Sequence, residues 1–203
     1  MAYNLARREP VVTPEPPESP IDGRRSYAEY LALDEANDDQ KYEFVDGRIV
    51  PRAGASWEHG RLAGMVIHAL VTQLNGRCEV SADARLYARE LHVAFFPDVS
   101  VVCGPVEFDP VKKAILNPIL IVEVLSPDST EKRDRGEKFE FYKSIPSLKE
   151  YVLVSQHEPR IEVSRRQKRG GWSPHRAKVS GIVKLESIKC ELVVKEVYAR
   201  ARG

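Results

Sequence analysis

The sequence predicts a mixed α/β fold, and three stretches carry that prediction. "SWEHGRLAGMVIHALVTQLNG" repeats its apolar residues with a helical period, "NPILIVEVL" is a short, almost wholly apolar and branched run, and "KYEFVDGRIVPR" places strand formers around an Asp-Gly pair. These are the signatures of an amphipathic helix, a strand buried on both faces and a hairpin. The strong segments follow one another as helix, strand, strand, strand, helix, strand, a mixed order rather than a strict doubly wound repeat.

Taken in order, the chain opens on a tail. "PVVTPEPPESP" is proline-rich and nearly free of bulky apolar side chains, so residues 1–25 read as extended and disordered. With 203 residues, 42% of them hydrophobic, the remainder supports one core of ordinary size, and a single domain is expected over residues 26–203. Its first helix is expected to start near Ser26, a cap residue with an acidic N3 residue, Glu29, and to place Tyr27, Tyr30 and Leu31 on one face. The hairpin around Asp46-Gly47 follows, with Glu43 on its first arm. The long helix presents Leu62, Met65, Val66, Ala69, Leu70 and Leu74 to the core and stops at Asn75-Gly76. "CEVSADARLYARE" and "HVAFFPDVSVVCG" read as two strands joined near Glu90. Pro97 inside the second implies an edge or a bulge, because proline cannot donate to a ladder.

Asn117 and Pro118 then turn the chain into the buried strand Ile119 to Leu125. "SPDST" ends it, offers Asp128, Ser129 and Thr130 as helix caps, and leads into a helix from about Glu131 to Ser144. Ile145-Pro146 closes that helix, "EYVLVS" from Glu150 to Ser155 is a further strand, and the remainder alternates around Gly170-Gly171 as added antiparallel strands. A short terminal helix is expected from about Val194 to Ala201.

Composition excludes little by itself. A net charge of +1 gives no bulk attraction to nucleic acid or membrane, so any such binding must come from a local patch. Cys78, Cys103 and Cys190 are odd in number and far apart, which argues against a disulfide framework or a zinc site and fits a reducing cytoplasm. No run reaches the roughly 20 apolar residues of a membrane span, and the first residues lack the apolar core of a signal peptide.

The chemistry concentrates on Glu123, one carboxylate in an otherwise apolar strand. Such a group loses its hydration, at several kcal/mol if it stays ionised, unless a cation or donors compensate. Asp134, Lys138 and Tyr142 recur at i, i+4 and i+8 on the next helix, which can bring Lys138 back over the strand. Asp98, after Pro97 on a neighbouring strand, supplies a second carboxylate. Magnesium, or manganese in its place, takes oxygen ligands and is commonly held by one or two carboxylates. Asp98 and Glu123 fit that role, and metal-assisted hydrolysis of a phosphodiester, with Lys138 orienting water or stabilising charge, is the chemistry expected.

"YEFVDGRIV", "SWEHGRLAG", "FFPDVSVV" and "LIVEVLSPDSTEKRDRGEKFEFYKSIPSLKEYVLV" together resemble the Uma-two restriction-endonuclease family within the PD-(D/E)XK nuclease superfamily, over about Ser26 to Tyr198. The resemblance implies a restriction-endonuclease-like core, a central mixed β-sheet flanked by helices with extra antiparallel strands. It also implies DNA as substrate and a magnesium site on Asp98 and Glu123. Leu125 stands where the superfamily's usual lysine would be, and Lys138 matches a lysine relocated to the following helix. Glu43 matches an early acidic position, and Asp134 and Tyr142 are supporting candidates. A homodimer is compatible with cutting both strands of a duplex.

Blander readings stand beside these. Glu123 could be neutralised by an arginine such as Arg85, Lys138 could sit on a solvated helix face, and Glu43 could be a surface strand residue. The five histidines show no paired metal spacing, and "RRQKRGG" reads as a solvated basic turn or a phosphate contact. The competing functions are a catalytically inactive nuclease fold that binds DNA or a protein partner, and an unrelated hydrolase with two carboxylates.

Overall fold

Ser26 starts the first helix, α1 (Tyr27–Glu35), through a full capping box: its hydroxyl accepts the Glu29 amide while the Glu29 carboxylate accepts the Ser26 amide. The computed structural model describes residues 24–37, 39–52, 54–126, 129–178 and 181–199, so the expected tail lies outside the described residues apart from Arg24 and Arg25. β1 (Tyr42–Val45) and β2 (Arg48–Pro51) pair antiparallel. Asp46 and Gly47 between them both have positive φ, 47° and 79°, as a two-residue primed turn requires. α2 (Trp57–Leu74) is capped by the Ser56 hydroxyl and ended by Asn75 in the left-handed region. Leu62, Val66, Leu70 and Leu74 form its buried stripe.

The next two expected strands are each divided. β3 (Glu79–Ala82) and β4 (Leu86–Ala88) come from the first, and β5 (Val93–Phe95) and β6 (Val99–Val102) from the second, with a 3-10 turn at Arg89–Leu91 between them. Pro97 marks neither a bulge nor an edge. It stands where the chain leaves a four-stranded sheet, order β2-β1-β5-β4, for a six-stranded one, a crossing at which its missing N–H costs no ladder bond.

The six-stranded sheet is completed by β7 (Leu120–Leu125), β8 (Glu150–Ser155), β9 (Arg160–Arg166) and β10 (Trp172–Lys178), in the order β10-β9-β8-β7-β6-β3. β7 and β8 run parallel and the remaining pairs antiparallel, which gives the mixed sheet that was expected. Between β7 and β8 lie α3 (Ser129–Arg135) and α4 (Glu137–Lys143) in place of one continuous helix. Gly136 interrupts it with φ −112° and ψ −97°. Glycine is a weak helix former, and the Tyr151 hydroxyl donates to the Asp134 carbonyl at 3.0 Å, holding a group beside the break. Of the three cap candidates, Asp128 lies outside the described residues, and Ser129 and Thr130 fall inside α3. β11 (Ile182–Leu185), β12 (Cys190–Val193) and α5 (Val194–Val197) close the description. The terminal helix is thus shorter than expected, and Ala201 lies outside the described residues.

Alternation along β7 assigns its two faces. Leu120, Val122 and Val124 pack with the α2 stripe, β11, β12 and α5, whereas Ile121 and Leu125 pack with Tyr142, Ile145, Leu148 and Phe95. Glu123 therefore points to the α4 face. The expectation of unpaired cysteines fails at two positions: Cys78 and Cys103 form a disulfide, with Cα atoms 4.3 Å apart. They flank β3 and β6, whose register pairs Glu79 with Val102, so the ladder itself brings two cysteines 25 residues apart face to face. Cys190 is free and buried. Among the described residues no helix is long and apolar enough to cross a membrane.

The α2 stripe is the main clamp on one sheet face, and Leu70 is fully buried in it. Leu70→Ala is expected to cost about 3 kcal/mol of unfolding free energy, read as a lower denaturant midpoint at unchanged slope.

Candidate active site

Register builds the site. Val99 pairs with Val122, so continuing the antiparallel ladder by one residue sets Asp98 opposite Glu123 on the same face. The Val124 amide donates to Asp98 Oδ2 at 2.7 Å, which fixes that carboxylate and leaves Oδ1 turned to a pocket. There His59 Nε2 lies 2.9 Å from Oδ1 and Arg52 Nη2 3.2 Å from it. His59 stands in the first turn of α2. Its Nδ1 faces the Ser126 hydroxyl and the Gln156 amide at 3.4 and 3.3 Å.

From the other side α4 delivers Lys138 and Tyr142. Lys138 Nζ lies 2.7 Å from Glu123 Oε1, 3.5 Å from Glu43 and 3.7 Å from Asp134. The Tyr142 hydroxyl donates to the same Glu123 oxygen at 2.8 Å. Arg133 on α3 reaches Glu43 Oε2 at 2.7 Å. Glu43, Asp98, Glu123, Asp134 and Lys138 are all buried, and they surround a small cavity of about 80 Å³.

All six residues expected from the sequence therefore converge, and three further ones were missed. Arg85 is not the partner of Glu123, because it pairs with Asp34. Lys138 is not on a solvated face and Glu43 is not a surface residue. His59 lies in the site although the five histidines show no paired metal spacing. The signal that identifies it is its position three residues before Leu62, a polar side chain on the core-facing stripe of α2. Arg52 and Arg133 carry no comparable signal, since each is one arginine among many.

Burial dominates the electrostatics. It pushes the Glu123 carboxyl up to about 8, with the charges of Asp98 and Asp134 adding to the rise and Lys138 opposing it. Burial also raises Asp134. Burial acts to raise Asp98 too, but the hydrogen bond and charge of His59, the Val124 amide and Lys138 outweigh it and hold that carboxyl below its ordinary range. For Lys138 burial favours the neutral amine, yet Glu123, Glu43 and Asp134 overcome it and raise its pKa. The two partners thus pull in opposite senses, and the geometry favours a charged Lys138 within a cluster whose surplus proton rests on its most buried carboxylate, Glu123. Burial likewise raises Tyr142, so its hydroxyl keeps its proton and donates.

The donor set suits a hard divalent cation. The oxygens that could hold one are those of Asp98 and Glu123, which line the cavity. Glu43 Oε2 and His59 Nε2, both buried at the pocket, are engaged by ion-pair contacts to Arg133 at 2.7 Å and Asp98 at 2.9 Å. Among the described residues no group of three or more His, Cys, Asp or Glu is arranged to hold a metal. Magnesium does not require one, because it is usually bound by one or two carboxylates and keeps several waters.

The comparisons with known proteins agree with this fold. Two uncharacterized proteins of Synechocystis sp. are similar to the chain. One, sll1609, is 41% identical over 138 residues, 66% of this chain and 77% of its own length. The other, slr1290, is 33% identical over 172 residues, 84% of this chain and 89% of its own. A crystal structure from Anabaena variabilis, described as a "putative nuclease belonging to DUF820", superposes with a TM-score of 0.64 at 15% identity, covering 78% of this chain and 89% of that one. At that identity the likeness concerns the fold alone. The Uma2 family model, described as "Putative restriction endonuclease", matches residues 27–194, and the chain belongs to that family.

Proposed function

We propose that the protein is a divalent-metal-dependent DNA endonuclease that hydrolyses phosphodiester bonds. The observation that carries this reading is the cross-strand pair Asp98 and Glu123, buried on one sheet face with Lys138 Nζ 2.7 Å from Glu123. Magnesium, or manganese in its place, held by Asp98 and Glu123, would neutralise phosphate charge and lower the pKa of a bound water.

The chain's own residues supply the rest. The Val124 amide and His59 orient Asp98, and the Tyr142 hydroxyl orients Glu123. Lys138 is held charged by three carboxylates, so it acts as a hydrogen-bond donor to a phosphoryl oxygen or to the attacking water rather than as a general base. Arg52 and Arg133 border the same cavity and offer planar donors to the flanking phosphates. Hydrolysis forms a bond from water oxygen to phosphorus and breaks the ester bond to the leaving oxygen. Two copies of the chain acting as a homodimer would cut both strands.

A second reading, an inactive module that binds DNA or a protein partner, draws on the ion pairs already within the site, Lys138 to Glu123 and Arg133 to Glu43. Calorimetry with manganese and cleavage of supercoiled plasmid separate the two. The nuclease reading expects metal binding and cleavage in the wild type, with Asp98→Asn and Glu123→Gln each losing metal affinity and about 10³-fold in rate. No cleavage and no metal binding, with or without DNA, would establish the silent module instead.

Lys138→Met keeps the stem and removes the charge. It is expected to lower the cleavage rate about 10²-fold with metal affinity retained, and an unchanged rate would remove Lys138 from the mechanism. A pH dependence follows from Glu123 in chelator. Its carboxyl titrates near 8 in the folded chain against an ordinary 4.5, so its contribution is fully present below the ordinary value and is lost as pH rises toward 8. Denaturation of the wild type between those limits should show stability falling with pH, and Glu123→Gln should flatten that fall.

A further inference from the structure

The β9–β10 hairpin carries "RRQKRGG", a segment the nuclease reading leaves unused. Lys149, Arg165, Arg166, Lys168 and Arg169 line one open cleft of about 540 Å³. We propose that this cleft is a phosphate-binding site separate from the candidate active site.

Its position follows from register. The Lys149 and Glu150 amides both donate to the Ile119 carbonyl ahead of β7, and Glu150 pairs with Leu120 and Arg165. The candidate active site uses the other end of β7, at Glu123, Val124 and Ser126. At ~3.3 Å per residue Leu120, beside the cleft, and Glu123, in the candidate active site, are about 10 Å apart along β7, too far for one phosphate to touch both.

The cleft has a fixed frame and free cations. Its floor is Glu150, 2% exposed, which accepts from Arg165 Nε at 2.9 Å and from the Glu186 and Ser187 amides at 3.1 and 3.0 Å. Arg166 donates to the carbonyls of Leu148, Lys143 and Ile145 and lies 4.8 Å from the Trp172 ring centroid. These groups lock the hairpin to the sheet and are committed to it. Lys149, Lys168 and Arg169 are exposed, and no ion pair or side-chain hydrogen bond engages them among the described residues.

Arg165 is paired with Glu150 and lies 3.8 Å from the exposed Glu186 carboxylate, the cleft's second acidic group; the three cations without a partner among the described residues, with Arg166 behind them, still leave the cleft positive on a chain whose net charge is only +1. Spread over a cleft wider than one carboxylate, they suit a polyvalent phosphate group. Among the described residues no aromatic side chain lines the cleft, so recognition stops at phosphate and carries no base specificity. Nucleic-acid backbone and free polyphosphate share this chemistry.

The test uses the full chain in chelator, with a labelled DNA duplex of arbitrary sequence followed by anisotropy and inorganic triphosphate followed by calorimetry. The combined variant Lys149→Ala, Lys168→Ala, Arg169→Ala is compared with wild type, and Lys168→Gln, Arg169→Gln serves as a milder second variant. Thermal melting checks that both remain folded. Loss of duplex binding by at least tenfold, with the slope of log K against log salt shallower by about 2.7 for three contacts, supports the site and identifies nucleic acid as its source. Triphosphate binding that is lost in the variants while duplex binding is unchanged supports the site and identifies free polyphosphate. Wild type binding neither probe, or folded variants binding both as wild type does, overturns the proposal. Cleavage enters no arm of this test, so failure of the nuclease reading leaves its outcome readable.

Discussion

The constraint on which the structure turns is the burial of Glu123 in the middle of the central sheet. A carboxylate 2% exposed in β7 has no water to solvate it, and the penalty is several kcal/mol unless the fold brings compensating groups. The fold brings two on one helix. Lys138 and Tyr142, four residues apart on α4, reach the same Glu123 oxygen. That demand fixes the rotation of α4 about its axis, and the rotation places Tyr142 in the core beneath Lys138. The break at Gly136 supports this arrangement, because it lets α3 take its own direction and set Asp134 and Arg133 against the cavity.

The second half of the site depends on a change of sheet. β5 belongs to the four-stranded sheet and β6 to the six-stranded one, and Phe96, Pro97 and Asp98 make the crossing. Because β6 begins in ladder with β7 only at Val99, the Val124 amide is left for the Asp98 carboxylate, while the Asp98 carbonyl accepts from the Asp83 amide. The same crossing links the hairpin that carries Glu43 to the sheet, since β1 pairs with β5. Acidic groups from two sheets thus meet where the chain passes between them, and α2 closes the gap with His59.

Much of this was legible in the sequence because burial leaves period-two and period-3.6 patterns. Glu123 stood out as the one charge in an apolar run, and Lys138 and Tyr142 as its helical partners. What escaped was decided by tertiary geometry. The disulfide between Cys78 and Cys103 depends on the β3–β6 register, which cysteine spacing does not reveal. Dividing "HVAFFPDVSVVCG" between two sheets depends on what each half pairs with, and both halves have the same strand composition. His59 was hidden because it was compared with the other histidines rather than with Leu62 and Val66, its neighbours on the buried face of α2.

The ionic cluster is better understood as a functional device than as a source of stability. Buried ion pairs seldom stabilise more than well-packed apolar side chains of similar volume. Here the comparison is less favourable still, for burial, with the charges of Asp98 and Asp134 adding to it, pushes Glu123 up to about 8. An apolar core at these positions would fold without those costs. The neighbouring β7 positions, Ile121 and Leu125, show that the same face accepts branched aliphatics. The strain is confined to the residues around one cavity, while the core on the opposite face of β7 is uniformly apolar. A buried cluster of carboxyl groups and cations set in an otherwise apolar core is costly to fold, and such perturbed groups gather at functional sites more often than elsewhere.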